Sequence, residues 1–243
     1  MFDSSYNAAA DAEVFAALAD ILAPLNLRAA TGDIGLLKAA VEGLETSERR
    51  RWQLLRHIWR PRRFRTLLDR YAGRSDAPDI TPAATHAPLT GLRSASEIGA
   101  RLAALEADHN TAPIPAAQAD GIATLLTVRE IVPYAIEQLR NLAVDMPSIS
   151  RATERLAARA DALRDRGSDV EALDFEVAYG RTSMEYYDGF VFGFYANGRP
   201  DLPPVASGGR YDALTRRLGR GAEIPAVGAV LRPGLIVALE AEL

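Results

Sequence analysis

Cysteine is absent from the 243 residues, and histidine and lysine are close to absent, with His57, His86 and His109 the only histidines and Lys38 the only lysine. No disulfide, no thiolate nucleophile and no sulfur-ligated zinc site can therefore be built from this chain. The three histidines are far apart and lack metal-ligand spacing, so each reads as a surface or packing residue. No run approaches the roughly 18 consecutive apolar residues of a membrane span. The first residues, MFDSSYNAAADAEVF, lack the basic region and apolar core of a signal peptide, which makes the cytoplasm the expected location. Net positive charge is lacking too. A formal charge of −4 argues against a general nucleic-acid binder, whose domain would be basic so that phosphate contacts release counterions.

With 48% hydrophobic and 25% charged residues, the chain is suited to one sizeable globular domain with room for a small subdomain. Positive charge is concentrated in one block. Ten arginines lie between Arg49 and Arg74, among them Arg62 and Arg63, with Asp69 the only acid. A polyanion or an acidic partner surface can dock on such a block, although a solvated helical face, in a chain that uses arginine for almost every positive charge, is the favoured account of it. Interleaved Trp52, Leu54, Leu55, Ile58, Trp59, Phe64, Leu67 and Leu68 fit two amphipathic helices broken at Pro61 and needed for core.

The apolar stripe Val14, Phe15, Leu18, Ile21, Leu22 predicts a helix over 8–22, ending at Pro24. A short strand over 27–30 follows. Thr31-Gly32-Asp33 then reads as a turn and N-cap launching a helix through Leu44. Between Gly73 and Thr90 the composition is that of a loop. Helices are expected over 96–108 and 115–126, over 128–143 with Pro133 in the first turn, and over 148–165, ending at Gly167. From Ala172 the periodicity changes: LDFEVAYGR and YDGFVFGFYANG read as strands, Asn197-Gly198 as a turn, and Gly208-Gly209 as the opening of a passage into a helix over 210–218. PAVGAVLRPG reads as a buried strand, with a helix from Leu235.

Three segments of the last third, EYYDGFVFGFYA, ASGGRYDAL and IPAVGAVLRPG, resemble histidyl-tRNA synthetases and their non-catalytic relatives, the regulatory subunits of ATP phosphoribosyltransferase. AADAEVFAALADILAPLNL followed by TGDIGLLKAAV is similar to the helix, strand and helix after that family's second conserved motif. The resemblance implies an α+β fold of class II aminoacyl-tRNA synthetase type: a mixed, mainly antiparallel sheet flanked by helices, with a helical insert and without the N-terminal motif 1 and motif 2 region. It divides the chain into 1–72, a partial synthetase-like part; 73–127, a linker and helical insert; and 128–243, the sheet with the pocket motifs.

By the same resemblance, Tyr186, Tyr187, Gly189, Gly208, Gly209, Arg210 and Tyr211 would surround L-histidine. Glycine lets backbone come close to a ligand, and a tyrosine hydroxyl can give or accept a hydrogen bond with an imidazole nitrogen. Arg181 stands five positions before Tyr186, one more than the family spacing, and a one-residue slip in a strand reverses side-chain direction. Glu185 and Asp188 replace the family's more usual Asp and Thr, and either can hold an ammonium group or face solvent. Leu235 occupies the position of the nucleotide-gripping arginine, a task that suits arginine's planar, permanently charged fork. The resemblance thus implies a regulatory subunit with no catalytic residue, no metal and no cofactor. L-histidine would be its effector, and it would form a homodimer within a hetero-oligomer with the short-form catalytic subunit, Arg62 and Arg63 contributing to the contact. A divergent, histidyl-tRNA synthetase-like enzyme that activates an amino acid is the alternative, and an RNA-associated module built on the arginine block is a third reading.

Overall fold

In the computed structural model, residues 1–76, 91, 93–181 and 185–242 are described. Among them, six strands form one sheet: β1 (Arg28–Asp33), β2 (Arg129–Ile131), β3 (Asp174–Glu176), β4 (Phe190–Tyr195), β5 (Ala206–Arg210) and β6 (Val227–Leu231). Their order is β2-β3-β1-β4-β5-β6. Only the β1–β3 pair is parallel, so the sheet is mixed and mainly antiparallel.

Helix α1 (Ala8–Leu22) starts where Asn7 accepts the Ala9 amide, 2.8 Å away. It lies across the sheet, with Phe15 against Phe192 and Phe194 at ring-centroid distances of 5.3 and 5.1 Å. Helix α2 (Ile34–Glu42) is capped by Asp33, which accepts the Gly35 amide. Thr31 and Gly32 are strand residues rather than a turn, because both pair across to β4.

Helices α3 (Glu48–Arg56) and α4 (Pro61–Tyr71) break at Pro61, whose missing amide proton costs nothing in a first turn. Leu54, Ile58, Phe64, Leu67 and Leu68 from this pair are buried, whereas Trp52 is 57% exposed beneath the Arg56 guanidinium. The expected core residue Trp52 is thus a surface residue. Helices α5 (Ala95–His109) and α6 (Ala116–Leu125) follow; α5 starts in a Ser94/Glu97 capping box and buries no side chain, while α6 places Ala119, Ile122 and Leu125 in the main core.

The helix expected from residue 128 begins instead at Val132, since residues 129–131 pair with β3 and extend the sheet. Helices α7 (Val132–Asp145) and α8 (Ser150–Asp165) then pack with α1 against it. Gly167 lies beyond α8 in a positive-φ turn. The strand read in LDFEVAYGR has three residues, after which the chain turns. Gly208 and Gly209 lie inside β5, paired on both sides, and the helix expected over 210–218 starts at Asp212 (α9, Asp212–Leu218), because Arg210 is still a strand residue. Strand β6 is at the sheet edge and half-exposed, not buried, and α10 (Pro233–Glu240) begins two residues before Leu235. The expected loop over 73–90 lies, from residue 77 on, outside the described residues, as does His86. No described helix is long and apolar enough to cross a membrane.

Candidate functional site

Alternate residues of a strand point to opposite faces, and this divides the predicted pocket residues between two sides of the sheet. A Cβ added at Gly208 would lie 2.5 Å from Cζ of Phe192 and 2.6 Å from Cβ of Ala229, on the side covered by α1. One added at Gly209 would meet the Tyr187 ring at 2.9 Å, on the other side. Both glycines therefore answer a close approach by neighbouring side chains.

On the Gly209 side, Tyr186, Tyr187 and Tyr211 form one aromatic group. The Tyr186 and Tyr187 ring centroids are 4.5 Å apart, and Tyr186 meets Tyr211 edge-on at 6.2 Å. Tyr187 is buried, and Tyr186 is 40% exposed. Burial raises the Tyr187 phenol pKa, and its hydrogen bond with Tyr186 adds to this, so the Tyr187 hydroxyl stays protonated at neutral pH.

On the helix-covered side, Arg210 belongs to a buried ionic network that the sequence did not reveal. Its Nε and Nη2 donate to Oδ1 of Asp11 at 3.0 and 2.6 Å, and its Nη1 donates to Asp212. Arg159 donates from Nε to the other Asp11 oxygen at 3.0 Å and from Nη2 to Asp33 at 2.9 Å. Burial alone would lower the pKa of either guanidinium; the carboxylates of Asp33 and Asp11 for Arg159, and of Asp11 for Arg210, more than reverse it. Two arginines bridged by one aspartate satisfy what an isolated buried charge cannot, and tie α1, α8, β1 and β5 together. A charged residue inside an apolar helical stripe, as Asp11 is in α1, was the only signal available.

Beside this network lies a cavity of about 310 Å³ whose walls include Lys38, Arg155, Arg159, Asp188, Gly189 and Arg210. A Cβ on Gly189 would approach Cδ of Arg210 to 3.3 Å, so this glycine makes room for the arginine. The carboxylate of Asp188 is already engaged: its oxygens accept the amides of Asp212 and Ala213 at the start of α9, and Lys38 lies 3.4 Å away. Glu185 is exposed and pairs with Arg60 at 3.3 Å.

Arg181 is buried, donates from Nε to the Ile58 carbonyl at 2.8 Å and lies over the Phe64 ring. Burial pushes its pKa down to about 10. It anchors the α3–α4 junction to the turn that follows β3. Arg62 and Arg63 are exposed in the first turn of α4. Arg232, just before α10, donates to the Pro204 carbonyl, and Leu235 packs against the core.

The family model for histidyl-tRNA synthetase matches residues 4–234. This chain belongs to the histidyl-tRNA synthetase family. Among its relatives, the ATP phosphoribosyltransferase regulatory subunit of Mesorhizobium japonicum is 42% identical over 81 residues, 33% of this chain and 21% of that protein. The regulatory subunit of Brucella ovis is 32% identical over 151 residues, 61% of this chain and 38% of that protein. The chain thus matches well under half the length of these curated relatives. A crystal structure from Bacillus halodurans, described as an ATP phosphoribosyltransferase regulatory subunit/histidyl-tRNA synthetase, superposes with a TM-score of 0.62 at 22% identity, covering 97% of this chain and 50% of that one. That likeness establishes the class II synthetase-like fold: a mixed sheet backed by helices.

Proposed function

We propose that this member of the histidyl-tRNA synthetase family is a regulatory rather than a catalytic protein, acting on the short-form catalytic subunit of ATP phosphoribosyltransferase with L-histidine as effector. The observation that carries the proposal is the naming of its curated relatives as regulatory subunits of that enzyme, at up to 42% identity. The chemistry of the site is in keeping with it. Tyr186, Tyr187 and Tyr211 gather their phenol groups beside a glycine-containing strand, a donor and acceptor set suited to an imidazole. At the nucleotide end, Leu235 stands where the resemblance calls for an arginine, and Arg232 is spent on the Pro204 carbonyl.

Of the two carboxylates offered for the ligand's ammonium group, Glu185 is the accessible one, because Asp188 caps α9. Coupling between histidine and the catalytic subunit would then be a free-energy difference between two states of the complex, and it would be reciprocal. The test is the phosphoribosyltransferase rate of the short-form catalytic subunit, measured with and without this protein and across an L-histidine titration. The reading requires a change in rate on adding the protein and a further change with histidine. An unaffected rate, or pyrophosphate exchange driven by ATP and histidine on this protein alone, would overturn it in favour of no regulatory role or of an amino-acid-activating enzyme.

A further inference from the structure

The arginine block, whose Arg62 and Arg63 the sequence offers for a partner contact, forms a groove that the tyrosine site does not use. Residues spaced one helical turn apart share a face, and three such faces meet: Arg49, Gln53 and His57 along α3, Arg63, Leu67 and Arg70 along α4, and Arg101, Leu105 and Asp108 along α5. They line a groove of about 490 Å³, a volume within the range of small-molecule sites. Leu67 and Leu105 supply an apolar wall.

Five arginines line this groove against two acids, Asp76 and Asp108, and most of the guanidiniums have no carboxylate partner among the described residues. Arg50 is the exception: it is buried and spends its donors on Asp108 and on the carbonyls of Thr111 and Ala112. Among the described residues, Arg49, Arg63 and Arg101 have no carboxylate partner, while Asp108 is taken by Arg50. His57 and His109 line the same groove. Nε of Arg49 and Nδ1 of His57, on two of the lining residues, are shielded from solvent without a hydrogen-bond partner. Guanidiniums without carboxylate partners along one groove are what an anion with several acceptor oxygens would satisfy. Helix α4 adds to this: its first turn carries Arg62 and Arg63, no acid and no side-chain cap, so positive charge sits at the positive end of the helix dipole.

We propose that the α3–α4–α5 groove is a binding site for a small phosphorylated molecule, with Arg49, Arg63 and Arg101 holding its phosphate oxygens and its apolar part lying on Leu67 and Leu105. A compact ligand is favoured over nucleic acid because the arginines converge on one groove of about 490 Å³ and the whole chain is acidic, at −4. Recruiting phosphate through arginine also exploits bidentate geometry that lysine lacks, in a chain that has only one lysine.

The experiment is calorimetric titration of sodium triphosphate into the protein, with sodium chloride at matched ionic strength as control. Saturable binding is expected, weakened roughly tenfold or more in Arg63→Gln/Arg101→Gln, two exposed positions, by loss of charge-assisted hydrogen bonds. Arg129→Gln, on the distant strand β2, should bind as the unsubstituted protein does. Circular dichroism melts of each variant separate loss of the site from loss of the fold; should the double variant melt early, Arg101→Gln alone gives the same comparison. Absence of saturable heat, equal weakening in Arg129→Gln, or tighter binding of a single-stranded RNA oligomer that competes with triphosphate would overturn the proposal.

Discussion

Asp11 and Arg210 are 199 positions apart in the chain, yet one carboxylate oxygen of Asp11 accepts both Nε and Nη2 of Arg210, while its other oxygen accepts Nε of Arg159. This one acid joins the first helix to the β5 strand that carries the glycine pair and to α8 behind it. The positions of Tyr211 and Asp212, next along the chain, depend on it.

Replacing Asp11 with alanine leaves two buried guanidiniums short of a partner and should destabilise the fold by about 3–5 kcal/mol. Asp174→Ala removes a pair with Arg28 in which both side chains are around half exposed and should cost no more than about 1 kcal/mol. Urea unfolding midpoints of the two variants give the comparison; similar losses would mean the buried network is not the tie described here.

Gly208→Ala places a methyl 2.5 Å from Phe192 and 2.7 Å from the Gly228 carbonyl, inside a paired strand that cannot move aside freely. The expected cost is about 1–3 kcal/mol from overpacking, or more if the strand must shift. Thermal unfolding of this variant checks it, and a melting temperature equal to that of the unsubstituted protein would contradict the packing.

Phe64 and Trp52 were equal candidates for the core on sequence, but Phe64 is buried and Trp52 is not. Phe64→Ala should cost about 3–5 kcal/mol, as a large-to-small core change does. Trp52→Ala loses mainly its contact with Arg56, a cation–π pair of about 0.5–1 kcal/mol at an exposed site.

His57 is held below its usual pKa of about 6.5 by burial and by Arg63, Arg60 and Arg56. The fold therefore favours the neutral imidazole. Its contribution to stability is present above pH about 6.5 and declines as pH falls through the lower value it has in the folded protein. His57→Gln should flatten the acid side of the stability–pH profile measured by denaturant unfolding; an unchanged profile would place the sensitivity elsewhere.

These contrasts show what was legible in the sequence. Helices with a regular apolar stripe and a capping residue, such as α1 behind Asn7 and α2 behind Asp33, could be placed because the cap chemistry is local. Strand β2 was missed because its three residues owe their conformation to pairing with β3, a partner 45 residues on. Gly208-Gly209 reads in the sequence as the opening of a passage into a helix, because glycine pairs carry no strand signal, and only their pairing on both sides and the packing of Phe192 and Tyr187 against them place them inside β5. For the candidate site, the tyrosines were legible as motif letters. The sides they occupy were not, since strand register decides which residues of Gly208–Tyr211 share a face.

The most direct test of the central claim is calorimetric titration of L-histidine into the protein and into Tyr211→Phe, which removes one hydroxyl from the aromatic group. The account predicts saturable binding that weakens roughly tenfold in the variant, the worth of one lost hydrogen bond to a buried polar ligand. No saturable heat with histidine, or equal affinity in the variant, would contradict a histidine-sensing role for this site.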